Sequence, residues 1–265
     1  MKTTAAAPTA PLLLERNGAI ATLRFNRPDA LNAIDVPMAN AFLAAVQTVA
    51  ADPGVRAVVL CGNGKGFMAG GDLTTLRANP VQGAIDILTP LNAALPLLAQ
   101  MNAPVIAQVH GAAAGAGLSL LLMADYVIAA ESARFNLAYI NLGTSCDVGA
   151  SWALPRIVGL RKALEIALLG EAFAADDALR LGIVNRVVPA ADLETATAAL
   201  AQRLAAGPTV AYGAMKRLMR ASMDRALPEQ LAAEKDAFVH CAGTEDFRAG
   251  VEAFHQRQSP SFAGR

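Results

Sequence analysis

The chain has 265 residues, 54% of them hydrophobic, and its 22 Lys plus Arg are balanced by 22 Asp plus Glu. That length makes one large domain or two small ones, and the even balance supplies no net field to draw in nucleic acid or an acidic membrane face. Three scattered cysteines, Cys61, Cys146 and Cys241, exclude a disulfide framework and a C-x-x-C zinc site, and fit a reducing cytoplasm.

Residues 1–10, MKTTAAAPTA, carry one Lys and no apolar stretch long enough for a signal peptide, so they read as a flexible tail. The next segment, LLLERNGAIATLRF, is two apolar runs joined at Asn17-Gly18, a β-hairpin signature. Asp35 ahead of Pro37 and an Ala-rich run to Ala51 has the cap, the early proline and the spacing of a helix. RAVVL is a buried strand, followed by the glycine-rich CGNGKGFMAGGD and a helical segment. The order then recurs: PVIAQV, HGAAAGAG, LSLLLMA, and a further strand YVIAA. Strands alternating with helices predict crossovers and a mostly parallel, buried sheet.

Between Ala103 and Ala124 no residue is charged, yet Pro104, His110 and three glycines break the run into a strand, a loop and a short helix. A membrane span is therefore rejected. IVNRVV is the last strand, and beyond Ala190 only helical periods remain. These patterns predict an α/β core over 11–198 and a C-terminal helical segment over 199–265.

Glycine loops between strand and helix suit close approach of backbone N–H groups to a ligand, and equally suit tight turns. Neither loop has the GxxxxGK or GxGxxG spacing of a nucleotide site. His110, His240 and His255 lack metal-ligand spacing, and no GxSxG elbow is present. Asp72 reads as a helix cap and Asp125 as structural. Asp147 lies among apolar residues with no basic residue before Arg156, which suits a raised pKa and proton transfer; a helix cap is the competing reading.

Several motifs, taken in order, resemble the enoyl-CoA hydratase/isomerase or crotonase superfamily: NRPDALNAI, GKGFMAGGDL, HGAAAGAG, ALRLGIVNRVVP and TEDFRAGVEAFHQRQSPSF. The resemblance implies the crotonase, ClpP-like α/β fold of repeated ββα units with a C-terminal helical trimerisation segment. It implies an acyl-CoA thioester substrate, coenzyme A entering only as part of that substrate, and trimers stacked into hexamers. It places the oxyanion hole at the main-chain N–H groups of Gly71 and Ala116. It also puts Met68, Ala69, Asp72, Leu73, Ser119 and Tyr139 around the substrate.

The positions of the two hydratase glutamates are here Ser119 and Tyr139, so Glu-pair water addition is placed in doubt. Asp147 matches the Asp of the family's Asp-dependent isomerases, most nearly the 1,2-epoxyphenylacetyl-CoA isomerase branch. Double-bond isomerisation by one acid/base is the resulting expectation. Three alternatives stay open: hydration with non-standard residues, an aryl-CoA dehalogenase-type nucleophile at Asp147, and acyl-CoA binding without turnover. Arg24, Arg27, Lys65 and Arg257 are the candidate cations for coenzyme A.

Overall fold

The computed structural model of the chain describes residues 10–265. The expected tail falls outside the described residues except Ala10, whose carbonyl accepts from Asn26 Nδ2.

The chain opens with β1 (Leu12–Asn17) and β2 (Ile20–Phe25), an antiparallel hairpin. Its loop is Gly18-Ala19 rather than Asn17-Gly18: Asn17 still pairs with Ile20, and only Gly18 takes a positive φ, +56°. Helix α1 (Val36–Ala51) starts where the Asp35 carboxylate accepts from Met38 N, and it buries Met38, Phe42, Val46 and Val49 along one stripe.

Strand β3 (Ala57–Gly62) is buried throughout. Its alternate side chains face two cores: Val58 and Leu60 join the main one, Val59 the other. The first glycine loop then leads to α2 (Leu73–Ala78) and α3 (Pro80–Gln100). By length and composition α3 is long and apolar enough to cross a membrane. Here it packs on α1 and buries Ile87, Leu91, Ala94, Leu95 and Leu98.

The charge-free stretch resolves as expected into β4 (Val105–Val109), the second glycine loop with β5 (Ala112–Ala114), and α4 (Ala116–Leu122), buried along its whole length. Strands β6 (Tyr126–Ala130) and β7 (Arg134–Asn136) follow, then α5 (Ala150–Val158), α6 (Leu160–Leu169), β8 (Phe173–Ala174), α7 (Ala175–Arg180) and β9 (Arg186–Val188). The last strand is half the length of IVNRVV, because Ile183 and Val184 turn into the core before it. The chain closes with α8 (Leu193–Ala205), α9 (Thr209–Ala221), α10 (Leu227–Ala242) and α11 (Glu245–His255).

The main sheet has the order β1-β2-β3-β4-β6-β9 and is parallel beyond the hairpin. A second sheet, β5-β7-β8, was not foreseen; its strands are two or three residues long, too short to show a period. The β4-β5-α4 and β6-β7-α5 repeats are thus each a long strand, a short strand in the second sheet, and a helix, and after β3 the Met68–Ala113 bridge takes the short strand's place. This is the expected ββα unit of the crotonase fold.

The boundary expected at 198/199 falls inside α8. That helix covers the sheet, with Ala201 packed against Val59 and Ile106, so it belongs to the core, and the outer helical segment starts at α9.

Candidate active site

The two glycine loops lie side by side. Phe67 N donates to His110 O (2.8 Å), Met68 N to Ala112 O (3.0 Å) and Ala114 N to Met68 O (2.9 Å), which makes a short parallel ribbon. Helix α4 then runs directly beneath the first loop: a Cβ on Gly117 would stand 2.3 Å from Met68 O, so only glycine fits there.

At the end of the ribbon Gly70 lies against the start of α4, where a Cβ on Gly70 would stand 3.6 Å from Ala116 N. Ala116 is the first residue of α4, and its N–H belongs to the helix's unpaired first turn. Among the described residues neither Gly71 N–H nor Ala116 N–H donates to a protein acceptor. Two backbone donors without acceptors, one of them at a helix N-terminus, have the chemistry to meet a partial negative charge.

Asn32 holds the first loop in place, a role the sequence did not disclose beyond its place in NRPDALNAI. It is fully buried with φ +58°; its Nδ2 donates to Asn63 O and Gly66 O (both 2.9 Å), and its Oδ1 accepts from Arg27 N. Asp72 caps α2 as expected, accepting from Thr74 N (2.9 Å), and pairs with Arg27 at 2.9 Å. Burial pushes the Asp72 carboxyl up, but the Arg27 guanidinium and the two cap amides prevail and hold it below the ordinary carboxylate range.

A chain of three hydroxyl and carboxyl groups starts from the same helix, α4, where Ser119 Oγ lies 3.2 Å from Gly115 O. Ser119, fully buried in α4, has Oγ 2.9 Å from the Tyr139 hydroxyl, and the Tyr139 hydroxyl donates to Asp147 Oδ1. Tyr139 stands on a 3-10 turn, Tyr139–Leu142, and Asp147 on the loop before α5. Burial pushes the Asp147 carboxyl up, and the Tyr139 hydrogen bond offsets part of that rise. Burial and the adjacent Asp147 charge raise the Tyr139 phenol far above its ordinary value, so it stays protonated. The cap reading of Asp147 is overturned: α5 is capped by Gly149, with no side-chain cap.

Met68 has no exposed surface, so its side chain is core; Ala69 is half-buried, and Leu73 is 54% exposed at the start of α2. Arg24 is bound to Glu15 across the hairpin, and Arg27 lies between Asp35 and Asp72, so both charges are neutralised within the chain. Lys65 and Arg257 are exposed and form no ion pair among the described residues.

The enoyl-CoA hydratase/isomerase family profile matches residues 15–265. The chain belongs to this family. Among its crotonase relatives, the 1,2-epoxyphenylacetyl-CoA isomerase of Escherichia coli is 36% identical over 250 residues, covering 93% of this chain and 95% of the relative. The 2,3-dehydroadipyl-CoA hydratase of the same organism is 35% identical over 259 residues, covering 96% and 99%. The crystal structure of an enoyl-CoA hydratase/isomerase from Mycobacterium abscessus superposes with a TM-score of 0.91 at 34% identity, covering 96% of this chain and all of that one. A crotonase isomerase and a crotonase hydratase thus stand at nearly equal distance. Overall identity does not choose between the two reactions.

Proposed function

We propose that this family member isomerises enoyl-CoA thioesters, with Asp147 as its single acid/base and the N–H groups of Gly71 and Ala116 holding the thioester oxygen. The carrying observation is that Asp147 is the one carboxylate in the Ser119–Tyr139–Asp147 chain, while hydroxyl groups occupy the two positions where a hydratase carries glutamates. Asp147 takes a proton from C2 or C4 of the acyl chain, the negative charge passes to the thioester oxygen, and the same proton returns at the other carbon. No water is added and no oxidant is required. Each oxyanion donor contributes about 3 kcal/mol to such an enolate, because it is already aimed when the charge forms. The raised carboxyl suits the task, since burial makes it a stronger base than an exposed carboxylate and leaves it able to return the proton.

Lys65 and Arg257 are the cations left to meet coenzyme A phosphates, and no cofactor is needed beyond the coenzyme A carried by the substrate. The homotrimer or hexamer belongs to the same reading. Its support is the apolar outer face of the C-terminal helices, where Met219 is 66%, Leu227 70% and Phe254 81% exposed.

The test supplies 3-enoyl-CoA and 2-enoyl-CoA separately and follows thioester conjugation and product mass. Isomerisation without mass gain, lost by about 100- to 10,000-fold in Asp147→Asn, is the expected result. Gain of one water on 2-enoyl-CoA would establish hydration, the reading favoured by the dehydroadipyl-CoA relative.

A further inference from the structure

We propose that Tyr139 is a positioning residue for Asp147: its hydroxyl occupies Oδ1 and leaves Oδ2 as the only atom free to carry the proton, with Ser119 backing the phenol. The inference rests on Asp147 as the acid/base.

A proton inventory fixes the direction of this chain. The ionised carboxylate has no proton to give, so the single phenol proton of Tyr139 goes to Asp147 Oδ1. The phenol oxygen is then left as an acceptor, met by the Asp147 main-chain N–H and by one hydroxyl, Ser119 Oγ at 2.9 Å. Ser119 has an alternative acceptor in Gly115 O, but at the longer distance of 3.2 Å. The order is therefore Ser119 to Tyr139 to Asp147, and each donation polarises the next.

Nothing else competes for the carboxylate. Among the described residues Tyr139 is the only side chain hydrogen-bonded to Asp147, and no ion pair reaches it. The flanking loop residues, Gly143 through Cys146, carry no charge. Arg156, the nearest basic residue along the chain, is turned onto Asp224 at 2.8 Å and stacked over the Trp152 ring.

The arrangement has a chemical consequence. A free carboxylate offers two equivalent oxygens and a rotating plane. With Oδ1 fastened to a ring that is itself half-buried, one oxygen in one orientation must both collect and deliver the proton. C2 and C4 must then present the same face to it.

The test compares wild type, Tyr139→Phe and Ser119→Ala by pH–rate profile and by 13C-carboxyl titration of Asp147 in ligand-free protein, assigned by its loss in Asp147→Asn. Removing the phenol donor leaves burial unopposed. Tyr139→Phe should therefore move the Asp147 titration and the acid limb of kcat up by about one pH unit, and lower kcat at neutral pH about 10-fold with little change in KM. Ser119→Ala should shift both in the same direction by less, and serves as the second reading if the phenylalanine variant folds poorly. An Asp147 titration unmoved by either substitution, or a rise in KM alone, overturns the proposal. An active Asp147→Asn enzyme would sink the reaction assignment instead, while the carboxyl titration still decides the coupling.

Discussion

Asp147 carries a cost in stability that follows from its burial. Its carboxyl titrates higher in the folded chain than in the unfolded one, so between those two values the folded state holds the extra proton. Stability is then fully present below the unfolded value and declines as the pH rises through the folded value. Asp147→Asn, which removes the charge and keeps an oxygen for the Tyr139 hydroxyl, should melt a few degrees above wild type at pH 7. That gain should shrink toward pH 4, as thermal melts across the range would show. A difference independent of pH would disconnect it from the carboxyl. Sequence exposed half of this situation: the apolar neighbours of Asp147 are visible in the string of residues, and so is its distance from any base. The Tyr139 hydrogen bond is not, because the seven residues between the partners are a short 3-10 turn and irregular loop, and no period governs them.

The two-loop ribbon is the element on which everything else is placed. Its tightest point is Gly117 beneath Met68 O, an approach of backbone on backbone that no rotamer change relieves. Gly117→Ala should therefore push α4 and Ala116 away from the first loop, lower kcat/KM at least about 10-fold, and destabilise the fold by about 1–3 kcal/mol. Denaturant titration alongside kinetics checks both, and an alanine variant of normal activity would show that the register of α4 does not matter. The ribbon also shows what patterns along a chain disclose. The hairpin, α1, β3, β4 and α4 were legible from caps, alternation and unbroken apolar runs. The second sheet was not, since strands of two or three residues are stabilised by their neighbours in space and carry no signature of their own. The ion pairs of Arg24 and Arg27 are hidden for a similar reason: a charge is visible in sequence, but its partners, Glu15, Asp35 and Asp72, are set by folding.

Across the whole molecule, one carboxylate gathers several of the links that fasten the outer helices to the core, beside those made by Arg56 to Gly207, Thr209 and Phe262. Asp125 accepts from Val105 N at 2.9 Å, Lys216 Nζ at 2.6 Å and Arg220 at 2.8 Å, joining the start of β4 and the end of α4 to α9. Lys216 is 9% exposed; burial pushes its ammonium down and Asp125 pulls it back. Asp125→Ala would leave two half-buried cations with only main-chain carbonyls as acceptors, and should cost up to about 3–5 kcal/mol and loosen α9 through α11 first. Hydrogen exchange should register this as early exposure of those helices. Uniform protection would mean that the remaining contacts, the Arg56 links among them, retain these helices without Asp125.

The ribbon's donors are main-chain atoms, and this sets what inheritance can alter. Under the proposed reading, any residue but proline at position 71 or 116 still supplies the N–H, and it stays in place wherever the new side chain fits its surroundings. A lineage built on this frame keeps its grip on a thioester through most mutations that reach it. The groups at 119, 139 and 147 hang from side chains and are free to drift. One ancestral scaffold can then acquire new reactions by small steps, without passing through a form that no longer holds its substrate.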